Sequence, residues 1–145
     1  MNLKQSLIDN DSILLQQDAK DWKEAIKLST DLLVKSGAIE KEYYDAIIDN
    51  TINFGPYYII VPEVAMPHAR PEAGVNKDSF SLVTLKEPVY FNEEKISILI
   101  TLAATTSDNH SEFGIVQVAE LFEDDKNIER IKNSKTKEEI LELIK

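Results

Sequence analysis

The chain contains no cysteine and only four glycines among its 145 residues. Without a thiol it forms no disulfide, has no cysteine nucleophile and offers no cysteine ligand for zinc. Neither Gly-x-x-x-x-Gly-Lys-Ser/Thr nor Gly-x-Gly-x-x-Gly occurs in the sequence, which argues against a loop that cradles nucleotide phosphates.

Long apolar runs are also missing. The longest, from Ile98 to Ala104, is interrupted by Thr101 and is far shorter than the roughly 18–20 residues that cross a bilayer. The amino-terminal residues MNLKQSLIDNDS have neither the apolar core nor the small-residue cleavage site of a secretory signal. Together with the absence of cysteine, these features predict a cytoplasmic protein that does not insert into a membrane.

Basic residues are too few for a nucleic-acid binder. Sixteen Lys and Arg face twenty-six Asp and Glu, so the formal net charge is −10, whereas binding to nucleic acid needs a basic face that neutralises phosphates. An acidic protein does meet basic protein partners quickly, because complementary charge raises the encounter rate. The same charge also serves solubility alone, and composition does not separate these two roles.

The remaining sequence alternates between helical and strand patterns. The length fits one domain with one core. Asp21 with Glu24, and Thr136 with Glu139, are capping boxes that open helices, and Gly37 is placed to end the first of them. The predicted strands are 12–16, 57–61, 64–66, 80–85 and 96–103, and the predicted helices are 21–37, 41–53, 108–122, 125–133 and 136–144.

Two of these strands are apolar on both sides, which is typical of strands covered on both faces. The fold prediction is therefore α/β: a single layered domain over residues 1–145, with a mixed β-sheet flanked by helices on both faces. In the second helix the predicted inward side chains are Tyr44, Ile47 and Ile48, and Gly55-Pro56 ends that helix.

His68 is the first candidate for chemistry. It lies in Val61-Pro-Glu-Val-Ala-Met-Pro-His-Ala-Arg-Pro71, where three prolines bracket a histidine and an arginine. Each proline fixes its own φ and favours an extended preceding residue, so His68 is predicted to sit on stiff backbone. A stiff backbone suits a side chain that must approach a partner's reactive atom in line. The local residues equally fit an ordered loop with a surface histidine.

His110 is the second candidate, in Ser107-Asp-Asn-His-Ser-Glu112 at the predicted start of the long helix. The backbone N–H groups and the positive end of the helix dipole attract anions there. The competing interpretation is that Asp108 is a helix cap and His110 a polar residue of the first turn. A metal site is disfavoured, because the two histidines are far apart in sequence and no His-x-x-x-His pair occurs. No cofactor is predicted.

The histidine segment resembles a known family. Gly55-Pro-Tyr-Tyr, followed by Ala65-Met-Pro-His-Ala-Arg-Pro-Glu72, is similar to the active-site segment of mannitol/fructose-type EIIA domains of the bacterial phosphoenolpyruvate-dependent sugar phosphotransferase system. The similarity runs through essentially the whole chain, from Trp22-Lys-Glu-Ala-Ile26 to Glu138-Glu-Ile-Leu. Leu82-Val-Thr-Leu-Lys86 and Gly114-Ile-Val-Gln117 resemble the ascorbate-specific branch most.

The resemblance implies a phosphotransferase component with a phosphohistidine intermediate. His68 would accept a phosphoryl group from the phosphocarrier HPr and pass it to a cysteine of EIIB, while the membrane component EIIC imports and releases the phosphorylated sugar. His110 would be the second active-site histidine, and Arg70 a supporting residue. The chain departs from mannitol-type members at Asn50, where those members carry an arginine.

Two expectations follow for the site. Nε2 of His68 is the expected attacking atom, with Nδ1 donating its proton to a backbone carbonyl that fixes the tautomer. An apolar patch with an acidic rim is expected around His68, to receive a basic HPr surface. Two other classes remain open at this point: a regulatory module, whose phosphorylation state controls a binding partner, and a metal-dependent hydrolase.

Overall fold

A five-stranded mixed sheet with helices on both faces forms the protein, as predicted. The computed structural model describes residues 2–109 and 114–144. The elements among them, in chain order, are α1 (Leu3–Asp9), β1 (Ile13–Gln17), α2 (Trp22–Ser36), α3 (Glu42–Phe54), β2 (Ile59–Val61), β3 (Glu63–Ala65), a 3-10 turn (Pro71–Ala73), β4 (Ser79–Phe91), β5 (Glu94–Ala103), α4 (Val116–Leu121), α5 (Lys126–Asn133) and α6 (Lys137–Leu143).

The strand order in the sheet is β1-β4-β5-β3-β2. β1 runs parallel to β4 and β3 runs parallel to β5, whereas the β4–β5 and β2–β3 pairs are antiparallel. The short β3 next to β5 brings the chain after Ala65 beside the carboxyl end of β5. The histidine segment thus begins where two parallel strands end at one edge of the sheet.

Alternation along β4 and β5 divides the core into two layers. Phe80, Leu82, Ile98 and Ile100 pack with α1, α4, α5 and α6. Val83, Leu85, Leu99 and Ala103 pack on the opposite face with α2 and α3. Because side chains alternate along a strand, apolar residues at both odd and even positions of β4 and β5 supply both layers, which confirms the expectation that these strands are covered on both faces.

The capping predictions for α2 and α6 are confirmed. The Asp21 carboxylate accepts from Glu24 N–H at 2.9 Å, and Thr136 Oγ1 accepts from Glu139 N–H at 3.2 Å. Gly37 ends α2 with φ +82°, in the left-handed region that glycine adopts without a steric penalty.

Several predicted boundaries were wrong. α1 was not predicted at all. β4 runs on to Phe91 instead of ending at residue 85, and the strand predicted over 57–61 is confined to Ile59–Val61. In α3 the buried tyrosine is Tyr43, whereas Tyr44 is partly exposed. The predicted helix 108–122 overlaps α4, and its residues 110–113 lie outside the described part of the chain.

Candidate functional site

A cleft of about 670 Å³ lies beside the carboxyl-terminal half of α3. Its wall on the α3 side is formed by Ala46, Asn50 and Phe54, which are spaced four residues apart and therefore share one face of the helix. The other lining residues are Tyr57, His68, Ala69, Arg70, Pro71, Ala73 and Ser107. The structure therefore brings together His68 and Arg70, two of the three residues predicted from the sequence. We call this feature the His68 cleft.

The backbone around His68 is tied to neighbouring elements on its amino-terminal side. Met66 N–H donates to Tyr58 O at 2.9 Å, and Leu102 N–H, near the end of β5, donates to Pro67 O at 3.0 Å. Met66 is 1% exposed, so this part of the segment is embedded in the core. The stiffness predicted from the prolines is thus reinforced by hydrogen bonds to β5 and to the residue before β2.

The imidazole ring of His68 has a fixed orientation. Nδ1 lies 2.8 Å from the backbone oxygen of Met66. Since a carbonyl oxygen can only accept, this contact requires a proton on Nδ1, and in a neutral ring the lone pair is then on Nε2. The rings of Tyr57 and Tyr58 lie edge-on to the imidazole, with centroids 5.3 and 6.3 Å away. The expectation that a backbone carbonyl fixes the tautomer is confirmed.

Tyr43 lies directly beneath the histidine segment and is fully buried. Its hydroxyl accepts from Ala69 N–H at 2.9 Å, and its own proton has the carbonyl oxygens of Leu102, at 2.8 Å, and Ala69, at 3.2 Å, in reach. Burial raises the pKa of this phenol, despite the bond to Ala69 O, so Tyr43 stays protonated at neutral pH. The sequence prediction missed this residue, because it placed the neighbouring Tyr44 inward.

Tyr57 binds the peptide unit between His68 and Ala69 from its carbonyl end, whereas Tyr43 binds it from its N–H end. The Tyr57 hydroxyl donates to the carbonyl oxygen of His68. Burial raises the pKa of the Tyr57 phenol, and a hydrogen bond with the Asn50 side chain offsets part of that rise. Asn50 therefore supports Tyr57 in the wall of the His68 cleft.

The second predicted histidine, His110, lies outside the described residues. The chain just before it is anchored by Asp78, a residue that the sequence did not single out. Asp78 Oδ1 accepts from Thr105 N–H at 2.7 Å, and Asp78 Oδ2 accepts from Asn109 Nδ2 at 2.8 Å. Because Ser107 lines the His68 cleft, this anchored segment borders the same cleft as His68.

The surface beside the cleft is apolar with an acidic margin. Phe54, which lines the His68 cleft, is 76% exposed, so covering it with another apolar surface would gain free energy. Asp49 is exposed on α3 next to Asn50, and Glu72 is exposed after Pro71. The exposed Phe54 at the cleft fits the expected apolar patch, and the acidic rim that faces HPr stays a prediction.

Residues 2–109 and 114–144 contain neither a metal cluster nor a membrane-spanning helix. No cluster of three or more His, Asp or Glu side chains is arranged there to hold a metal ion. In the same part of the chain, none of the helices combines the length and the apolar character needed to cross a membrane.

The chain is similar to known proteins in both sequence and fold. Residues 6–145 match the sequence profile described as "Phosphoenolpyruvate-dependent sugar phosphotransferase system, EIIA 2". The ascorbate-specific PTS system EIIA component of Escherichia coli K12 is 49% identical over 147 aligned positions, which cover 99% of this chain and 96% of that protein.

Solved structures share the fold over nearly the whole length. A crystal structure assigned to a PTS IIA protein, PtxA, from Streptococcus mutans has a TM-score of 0.97 and 55% identity, covering 99% of this chain and 92% of that one. The Escherichia coli IIA protein for mannitol, solved in complex with phosphorylated IIB, has a TM-score of 0.81 and 29% identity, covering 92% and 93%.

Proposed function

The chain belongs to the EIIA type 2 family of the phosphoenolpyruvate-dependent sugar phosphotransferase system, and we propose that His68 is the residue on which it carries the phosphoryl group. As an EIIA component the protein is a phosphotransferase and a phosphoryl carrier. In this proposal residues 1–145 form one EIIA type 2 domain, the donor is the phosphohistidine of HPr, and the acceptor is a cysteine of EIIB.

The 2.8 Å contact between His68 Nδ1 and Met66 O carries the proposal. A proton held on Nδ1 makes Nε2 the nucleophilic nitrogen. In the accepting step the Nε2 lone pair forms a bond to phosphorus while the P–N bond to the donor imidazole breaks, and the electron pair returns to the donor ring. In the second step the EIIB thiolate forms the new P–S bond as the P–Nε2 bond breaks. The electron pair of the P–Nε2 bond returns to Nε2 of His68.

Positioning and charge stabilisation are the protein's main contributions to such a step, because the transition state is loose and its charge lies on the equatorial oxygens. Arg70 lines the His68 cleft and is the proposed cation for these oxygens. His110 is proposed as the second histidine that steadies them. Asn50 is neutral, so it cannot supply the charge of the arginine found in mannitol-type members.

The exposed Phe54, together with the apolar residues that line the His68 cleft, is the proposed docking area for both partner proteins. Its exposed apolar side chains would lose contact with water on docking, which also keeps water from the phosphorylated imidazole. The acidic residues at its margin and the net charge of −10 favour a basic HPr surface. A relay must release each partner, so a small transient interface is expected.

The transported sugar is proposed to be L-ascorbate. The observation in support is the 49% identity, over nearly the full length of both proteins, to a relative named as ascorbate-specific. EIIA itself does not bind the sugar in this relay, so specificity enters through the EIIB that it recognises and, indirectly, through EIIC. A cytoplasmic location follows from this role.

Reconstitution tests the proposal. Wild-type protein is mixed with labelled phosphoenolpyruvate, enzyme I and HPr, and acid-labile phosphate is mapped to a peptide; we expect it on His68. His68→Ala should fold normally and take up no label, whereas His110→Ala should accept label but pass it on more slowly. Normal labelling of His68→Ala would contradict the site assignment.

EIIB proteins then test the choice of sugar. Phosphorylated wild-type protein is presented with an ascorbate-type EIIB and a mannitol-type EIIB at equal concentration. Faster transfer to the cysteine of the ascorbate-type protein is expected. Equal or faster transfer to the mannitol-type protein would refute the ascorbate assignment and leave the role of His68 intact.

A further inference from the structure

The peptide unit between His68 and Ala69 is bonded at both ends by tyrosine hydroxyls. Its carbonyl, that of His68, accepts from Tyr57, and its N–H, that of Ala69, donates to Tyr43 at 2.9 Å. Tyr43 lies in the first turn of α3, and Tyr57 lies just beyond the end of that helix. One helix with its carboxyl-terminal loop therefore holds the plane of a single peptide next to the reactive imidazole.

Resting on the proposed role of His68, we propose that Tyr43 and Tyr57 are positioning residues for phosphoryl transfer, because their hydroxyls clamp the 68–69 peptide unit and so set the direction in which Nε2 faces an incoming phosphorus. Neither hydroxyl reacts in this proposal. Each acts through the backbone that carries the imidazole.

The clamp matters because the ring is held from two directions. The bond from Nδ1 to Met66 O fixes the ring relative to the preceding residues. The tyrosines fix the peptide on the following side, and with both fixed the His68 side chain has one direction for Nε2. A misplacement of about 1 Å is enough to slow an in-line reaction about 100-fold.

The hydroxyls are suited to this task in different ways. Tyr43 is fully buried, so its bond to Ala69 N–H is not exposed to competition from water. Tyr57 is 45% exposed at the His68 cleft, so a docked partner would cover it and strengthen its bond. Burial raises the pKa of both phenols, which keeps the Tyr57 proton available for donation to His68 O at neutral pH.

The test uses three single substitutions that each remove one hydroxyl and keep the ring: Tyr43→Phe, Tyr57→Phe and Tyr44→Phe. Tyr44 is the matched control, since it lies in the same helix and its hydroxyl donates to Lys23 O, away from the histidine segment. Phosphoryl transfer from phospho-HPr is measured by rapid quench as kcat and KM. The imidazole tautomer is measured by ¹⁵N NMR, and exchange of the Ala69 amide by hydrogen exchange.

We expect Tyr43→Phe and Tyr57→Phe to lower kcat about 10- to 100-fold, with KM for phospho-HPr changed less than about threefold. Tyr44→Phe should match the wild type. The Ala69 amide should exchange faster in Tyr43→Phe, and the ¹⁵N spectrum should show a growing share of the Nε2-protonated ring in both clamp variants. Unchanged kcat in Tyr57→Phe, or a change confined to KM, would overturn the clamp.

Failure of the clamp and failure of the proposed function give different results. If His68 is not the carrier, wild-type protein takes no label on His68 at all. If only the clamp is wrong, wild-type and Tyr57→Phe label His68 at the same rate. Should Tyr43→Phe not fold, the Tyr57→Phe variant decides, because Tyr57 is 45% exposed and the substitution removes only its hydroxyl.

Discussion

Gly114 packs against Leu102 of β5. Replacing Gly114 with alanine therefore tests how closely the chain at position 114 packs on β5. A Cβ at Gly114 would lie 2.6 Å from Leu102 Cδ2 and 2.8 Å from Cδ1. Leu102 is fully buried in one core layer, and because protein cores are close-packed its methyl groups can move only by displacing neighbours. Leu102 also binds Pro67 O through its N–H, so the contact adjoins the backbone of the histidine segment.

Two effects of Gly114→Ala oppose each other. Alanine favours helical backbone over glycine by about 1 kcal/mol, whereas an extra methyl group in a close-packed core costs about 1–3 kcal/mol. With contacts this short the packing term should dominate, and we expect a net loss of about 1–2 kcal/mol of unfolding free energy. For a domain of this size that lowers Tm by about 2–8 °C.

A double-mutant cycle measures this contact by urea unfolding. Leu102→Val removes both Cδ atoms and should itself cost about 1 kcal/mol, yet the double variant Gly114→Ala/Leu102→Val should lose at least about 1 kcal/mol less than the sum of the single variants. Leu85→Val, in the other core layer, is the control and should add independently. If Gly114→Ala is as stable as the wild type, the backbone moves away freely and the argument is wrong.

Two further predictions concern groups away from the cleft. Burial raises the pKa of the Glu63 carboxyl, but Lys132 and its other partners outweigh burial and leave the pKa below its ordinary value. Glu63→Gln should therefore destabilise the protein by about 1 kcal/mol at pH 7. The difference should vanish at a pH below the lowered pKa of Glu63, because the carboxyl is then protonated in the folded and the unfolded chain alike. Urea unfolding at both pH values checks this, and a loss that persists at low pH would contradict it. Ser29 and Thr101 share a buried hydrogen bond of 2.6 Å between α2 and β5, so Ser29→Ala should cost about 1–3 kcal/mol by leaving a buried hydroxyl without its partner. Ser29→Ala with Thr101→Val should cost less than the two changes added separately, and strict additivity in the same assay would refute the coupling.

The parts of the fold that the sequence predicted are those specified by neighbouring residues. Asp21 caps α2 because its carboxylate reaches Glu24 N–H three residues later, and Gly37 ends α2 because of its own backbone freedom. The His68 segment belongs to the same class, since the prolines restrict the backbone on either side of the ring. Local rules were sufficient for these features.

The missed features depend on residues distant in sequence. α1 is a seven-residue helix whose Leu3 and Leu7 are buried in the core, and a helix this short is stabilised mainly by such packing. The prediction ended β4 at residue 85, whereas the strand continues past Pro88 to Phe91. The ladder resumes at Val89 after a register shift, since β5 provides a partner there.

Tyr43 illustrates why the site was only partly predictable. Two adjacent tyrosines in α3 differ by about 100° around the helix, and the apolar pattern alone fits either one facing inward. The choice is made by Ala69 and Leu102, whose backbone groups bind the Tyr43 hydroxyl. Those partners are 26 and 59 positions away in the chain, so no local pattern records them.

The geometry of His68 therefore depends on the same core that stabilises the fold. Leu102 packs its side chain in one core layer, while its N–H binds Pro67 O and its carbonyl accepts from Tyr43. Displacing the end of β5 would move both bonds together, and the imidazole with them. Because in-line transfer is more sensitive to small displacements than folding is, substitutions that shift Leu102 slightly should impair phosphoryl transfer before they cause measurable unfolding.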